Sequence, residues 1–149
     1  MLARALSQSL ILLLLASIAG ALTYHFHPRR PALYLTQEKA PPGEITVADA
    51  RARAAAGLVV WLDARRAPEY QTAHIPGALL LNEYDWENLL QAALPALAES
   101  AETTPIIIYC DGQQCAASRA VREKLQQTPL ADREILLLHG GWPAWLKSP

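Results

Sequence analysis

The rhythm of apolar positions changes several times along this 149-residue chain. Ile106, Ile107, Ile108 and Tyr109, entered from Pro105, form an unbroken β-branched and aromatic run, the pattern of a strand buried on both faces. From Ala116 the rhythm turns helical, with Ala117, Val121 and Leu125 spaced four residues apart. Leu58–Leu62 reads as a second buried strand ending at Asp63, Ala78–Leu81 as a short one, and Glu134–Leu138 as the last. Thr46 and Asp49 have capping-box spacing, and Val47, Ala50 and Ala54 continue a helix to a stop at Gly57. Ala64–Gly77 is rich in turn residues, with a short helix near Pro68-Glu69-Tyr70. Trp86–Ala98 is helical, with Trp86, Leu89, Leu90, Ala93, Leu94 and Leu97 on one side. Gly140-Gly141 leads into a closing helical turn carrying Trp142, Trp145 and Leu146. The tryptophans Trp61, Trp142 and Trp145, set among apolar neighbours, are read as packing residues. Strands alternating with helices predict an α/β domain with a parallel sheet, right-handed crossovers and helices on both faces.

A different pattern opens the chain. Ala5–Tyr24 has no charged residue, and twenty such residues are about enough to cross a hydrocarbon core of roughly 30 Å. The densest part, Leu10–Leu22, also has signal-peptide length, and Ala19-Gly20-Ala21 fits a cleavage site. The reading favoured is a retained single-pass anchor over residues 1–26. A proline-rich stem follows at 27–43, with Pro28, Pro31, Pro41 and Pro42, and the domain occupies 44–149. Arg4 on one flank nearly balances Arg29 and Arg30 on the other. The short amino-terminal flank is that of an exported protein, so the domain is expected outside the cytoplasm. His25 and His27 read as interfacial polar residues, not metal ligands.

Composition narrows the chemistry. Hydrophobic residues make up 52% of the chain, enough for a real core, and a net charge of −1 gives no field for nucleic acid. Two cysteines five positions apart are neither a disulfide framework nor a structural zinc site, so no metal or cofactor is expected. What remains is thiol chemistry. Cys110 ends a buried strand and faces a helix amino terminus, where α/β proteins place ligands and backbone N–H groups favour a thiolate.

Three motifs then suggest a family. Asp63-Ala64-Arg65, Glu69-Tyr70 and His74-Ile75-Pro76-Gly77-Ala78 resemble the rhodanese-domain pattern DxR…E[YF]…GHIxGA. Ile107-Ile108-Tyr109-Cys110 is similar to that family's approach to its active site, and Gly140-Gly141-Trp142-Pro143-Ala144-Trp145 to its GGWxxW signature. The resemblance covers about Thr46 to Leu146 and implies a three-layer rhodanese-like domain. Its central, mostly parallel sheet would have about five strands, preceded here by the N-terminal hydrophobic helix. It implies sulfur transfer: a loop cysteine takes a sulfane sulfur as a persulfide and hands it to a thiol or other nucleophile. On this carry-over Cys110 is the nucleophile. Asp111, Gly112, Gln113, Gln114, Cys115 and Ala116 form the cradle, and Ser118 caps the helix or bonds the thiolate. Asp63, Arg65 and His74 are supporting residues. For Asp63–Arg65 a structural ion pair is favoured, and for His74 a turn residue bonded to backbone.

The loop departs from the family pattern. Gln113 and Ala116 stand where the family has glycine and serine, Gly112 and Ser118 appear instead, and Ala73 replaces a glycine before His74. No Lys or Arg lies in the loop before Arg119, and Asp111 opposes both anion binding and thiolate formation. Thiosulfate is therefore a poorer donor than a persulfide on a small thiol or a protein. Related phosphatases and arsenate reductases place Arg six residues after the cysteine; Ala116 stands there, which argues against oxyanion chemistry. Cys115 is either a small filler or a resolving thiol that attacks an oxidised Cys110 to give a disulfide. Three functions stay open: a sulfurtransferase or persulfide carrier, a thiol–disulfide redox module using Cys110 and Cys115, and a non-catalytic binding module.

Overall fold

The computed structural model of the chain describes residues 2–26, 39–112 and 116–148. It divides into two units, 1–37 and 38–149. In the first unit, α1 (Leu2–Phe26) is one continuous helix. Leu6–Phe26 is long and apolar enough to cross a membrane. Two of its serines bond within the helix, Ser7 Oγ donating to Arg4 O and Ser17 Oγ to Leu13 O, each at 2.9 Å. Most of the stretch read as a stem, 27–38, lies outside the described residues.

The second unit runs β1 (Glu44–Ile45), α2 (Val47–Ala55), β2 (Val60–Asp63), α3 (Ala67–Thr72), β3 (Leu79–Leu80), α4 (Trp86–Glu99), β4 (Ile106–Tyr109), α5 (Ala116–Leu125), β5 (Ile135–Leu138) and α6 (Gly141–Lys147). The five strands form one parallel sheet in the order β1-β5-β4-β2-β3. Central β4 is buried along its whole length, as its unbroken apolar run requires. Ile106, Ile108 and Cys110 face Ala93 and Leu97 of α4 and Val121 and Leu125 of α5. Ile107 and Tyr109 face the opposite layer, with Ala50 of α2 and Trp142 and Trp145 of α6. Each fully buried Ile or Leu contributes about 1.5–3 kcal/mol, so β4 carries much of the hydrophobic stabilisation.

Local details follow the sequence signals closely. Thr46 caps α2, its Oγ1 accepting from Asp49 N at 3.1 Å and donating to Asp49 Oδ2 at 2.8 Å. Trp61, Trp142 and Trp145 sit in one sheet–helix layer, Trp61 edge-on to Trp145. Three details differ from the periodicity. β2 starts at Val60, because Leu58 still belongs to the turn closing α2: its N–H donates to Arg53 O and its side chain is 56% exposed. Leu94 is 44% exposed, because the inner stripe of α4 is taken by Ala93 and Leu97. β1 is a strand too short to show a period. It is held by register against β5, and Gly43 before it already accepts from Leu137 N.

Candidate active site

Strand β4 delivers Cys110 to the carboxyl edge of the sheet, where it is 3% exposed. Its Sγ lies 3.3 Å from Ser118 Oγ on the first turn of α5 and 3.7 Å from the Gly112 carbonyl. Ser118 is thus a partner of the sulfur, inside the helix and not at its cap. Cys110 is held as a disulfide. The chain's one other cysteine, Cys115, lies with Gln113 and Gln114 outside the described residues.

The cysteine backbone is clamped from α6. Trp142 N donates to Cys110 O at 2.7 Å. A Cβ on Gly141 would overlap that same carbonyl oxygen and come within 3.0 Å of Gly112 N, and its φ is +58°. Gly140, at φ +74°, has no room for a Cβ against Ala144. The paired glycines therefore let the start of α6 lie directly on the Cys110–Gly112 backbone.

Near Asp111 sits a buried ion pair. Arg65 donates from Nε and Nη2 to both oxygens of Asp63 (2.6–3.1 Å) and from Nη2 to Ala73 O at 2.7 Å. Its guanidinium lies 4.6 Å from the Trp142 ring centre and 5.4 Å from that of Tyr109. Tyr109 Oη accepts from Ile75 N at 3.1 Å, and burial raises its pKa above the ordinary range. Arg65 Nε is also 3.9 Å from Asp111 Oδ1. Burial raises the Asp111 pKa above the usual carboxylate value, opposed by Arg65. Arg65 is thus committed to structure, and no described lysine or arginine of the loop precedes Arg119.

His74 is not brought to the sulfur by any contact. Its Nδ1 is 2.8 Å from Tyr70 O and its ring stacks on Tyr70 at 4.0 Å, fixing the turn into β3. Three contributors were not singled out in the sequence as parts of the site. Gly141 and Trp142 clamp Cys110, and their GG-Trp spacing after a strand was the signal for a close approach. Asn82 holds the Arg65 carbonyl (3.0 Å) while accepting from Tyr84 N and Asp85 N, a role no local pattern announces. Among the described residues no group of three His, Cys, Asp or Glu side chains is arranged for a metal.

This geometry has relatives. The HTH-type transcriptional regulator Rv0324 of Mycobacterium tuberculosis is 36% identical over 107 residues, which span 70% of this chain and 42% of that protein. The chain thus matches about two fifths of that relative's length. The thiosulfate sulfurtransferase structure from Pseudomonas aeruginosa matches with a TM-score of 0.52 at 25% identity, over 70% of this chain and 19% of that one. The human single-domain sulfurtransferase TSTD1 has the same fold, with a TM-score of 0.56 at 19% identity over 73% of this chain and 99% of that one. The model of the rhodanese-like domain matches residues 46–148. The second unit carries that fold around Cys110, and the chain belongs to the rhodanese-like domain family.

Proposed function

We propose that this chain is a membrane-tethered sulfurtransferase or persulfide carrier with Cys110 as its nucleophile. The observation that carries this reading is the seating of Cys110: a sulfur at the end of the most buried strand, 3.3 Å from Ser118 Oγ, its backbone clamped by Gly141 and Trp142. Such a clamp fixes a nucleophile before substrate arrives. The sulfurtransferase names of two structural relatives support the same class.

In the reduced protein the Cys110 thiolate attacks the outer sulfur of a persulfide R–S–SH. The bond from R–S to that sulfur breaks, Cys110–S–SH forms with the persulfide's own hydrogen, and RS⁻ leaves as a thiolate. An acceptor thiolate then takes the outer sulfur and restores the Cys110 thiolate. A persulfide on a small thiol or protein is the favoured donor over thiosulfate, because Arg65, the cation near Asp111, is already bonded to Asp63 and Ala73. Asp111 beside the sulfur adds negative charge that a dianion would meet. The cradle is assigned to residues 111–116, with Ser118 beside the sulfur and Asp63 and Arg65 as its support.

A second reading has its own observation: Cys110 is in a disulfide. With Cys115 as resolving thiol, its thiolate attacks the inner sulfur of Cys110–S–SH. The Cys110–Cys115 disulfide forms and hydrosulfide leaves, and a dithiol reductant must then restore both thiols. Residues 1–26 are assigned as the anchor, 27–43 as the connection and 44–149 as the domain, outside the cytoplasm.

Sulfur passage from a small-thiol persulfide to a second thiol tests the assignment. Wild type turns over, Cys110→Ser does not, and Cys115→Ser keeps transfer while losing hydrosulfide release. Transfer undiminished in Cys110→Ser would overturn the nucleophile assignment. Equal loss in both variants would favour the redox reading.

A further inference from the structure

Strand register places a histidine beside the cysteine. β4 and β5 pair Ile106 with Ile135, Ile107 with Leu136 and Ile108 with Leu137. Two further steps bring Cys110 level with His139. On the β1 side the backbone hydrogen bonding continues past the end of β5, His139 N donating to Ile45 O at 2.8 Å. Side chains alternate along these strands: Ile106, Ile108, Cys110 and Leu137 share one face, and Leu138 lies on the other. His139, one residue past Leu138, therefore projects from the Cys110 face. Neighbouring strands are about 4.8 Å apart.

A carboxylate completes the row. β1 flanks β5 on its other side, with Glu44 in register with Leu137 and Ile45 on the opposite face. Glu44 Oε2 is 2.6 Å from His139 Nδ1. Three adjacent strands thus set Glu44, His139 and Cys110 side by side on one face at the carboxyl edge. Glu44 and His139 are partly shielded, their side chains 30% and 21% exposed. A carboxylate on Nδ1 keeps the proton there and turns Nε2 into the basic nitrogen, which lies on the side away from Glu44.

Building on the reading of Cys110 as a nucleophile, we propose that His139 accepts its thiol proton, with Glu44 as the residue that positions and polarises the imidazole. The proton moves from Sγ to Nε2, the thiolate and imidazolium form a pair, and Glu44 stabilises the added charge. When the thiolate attacks a persulfide, the imidazolium returns the proton to the departing RS⁻. Of the other charged groups, Arg122 on α5 reaches the Gly43 carbonyl at 3.4 Å, Arg119 follows Ser118 on the same helix, and Asp111 follows Cys110. Asp111 turns toward Arg65.

The test is the rate of Cys110 alkylation by iodoacetamide in the reduced full-length chain, resolved by peptide mass, between about pH 5 and about 10. Wild type reacts well below the ordinary thiol pKa of about 8.5. His139→Gln slows Cys110 alkylation about tenfold or more near pH 6, and its profile returns to a single ordinary thiol limb. Glu44→Gln keeps a hydrogen-bonding side chain against β5 and gives a loss of a few-fold at the same pH. Its intermediate profile separates proton chemistry from misfolding. Profiles of both variants that overlay wild type overturn the dyad, even if sulfur transfer is intact. The predicted shifts without any sulfur transfer sustain the dyad and sink the transfer reading instead.

Discussion

Gly141 shows how much of the site is decided by single atoms. A Cβ there meets the Cys110 carbonyl, in a backbone conformation that L-residues rarely adopt. Gly77 shares the positive φ but faces open space. Gly77→Ala is therefore expected to cost only about 1–2 kcal/mol, the left-handed penalty alone. Gly141→Ala should cost about 2–4 kcal/mol in denaturant unfolding, and sulfur transfer should fall further than stability does. Equal costs at both positions would mean the clamp on Cys110 is not rigid. Much at this scale was legible from the chain. Cys110 at the strand end, Asp63 with Arg65 as an internal pair, and His74 as a turn histidine all follow from short-range pattern and appear as such. Asn82 and the row Glu44–His139–Cys110 were not, because each joins residues far apart in sequence through strand order alone.

The elements were legible where they are long and periodic. The unbroken run of β4, the capping box of α2 and the apolar stripe of α4 announce themselves. Edges were not: β2 begins two residues late because Leu58 closes the preceding turn. β1 exists only because β5 offers it a partner. The element open to the plainest test is α1. A 21-residue apolar stretch is sufficient for crossing by length and composition, and the Ser7 and Ser17 hydroxyls are satisfied within the helix. The full-length chain is expected to sediment with membranes and to resist an alkaline carbonate wash. A chain beginning at Lys39 should be released to the supernatant. Release of the full-length chain by carbonate would contradict the anchor.

For the whole molecule, the order β1-β5-β4-β2-β3 explains why distant motifs meet. β4 sits at the centre, so Cys110 and Asp111 at its end are flanked by β5 and the start of α6 on one side and by the Asp63–Arg65 end of β2 on the other. The family's scattered signatures are thus the walls of one site. Around Cys110 those walls carry an acidic residue next in sequence, Asp111, a disulfide at the cysteine itself and a histidine–glutamate pair at the neighbouring strands. All three bear on the thiolate, and its capacity to hold sulfur is the central claim. The most direct measurement is the intact mass of the reduced full-length protein after exposure to a small-thiol persulfide. The wild-type chain should gain the mass of one sulfur atom, lost again on addition of an acceptor thiol, and Cys110→Ser should gain nothing. A wild-type chain that never gains that mass, or a Cys110→Ser chain that gains it equally, would contradict the account.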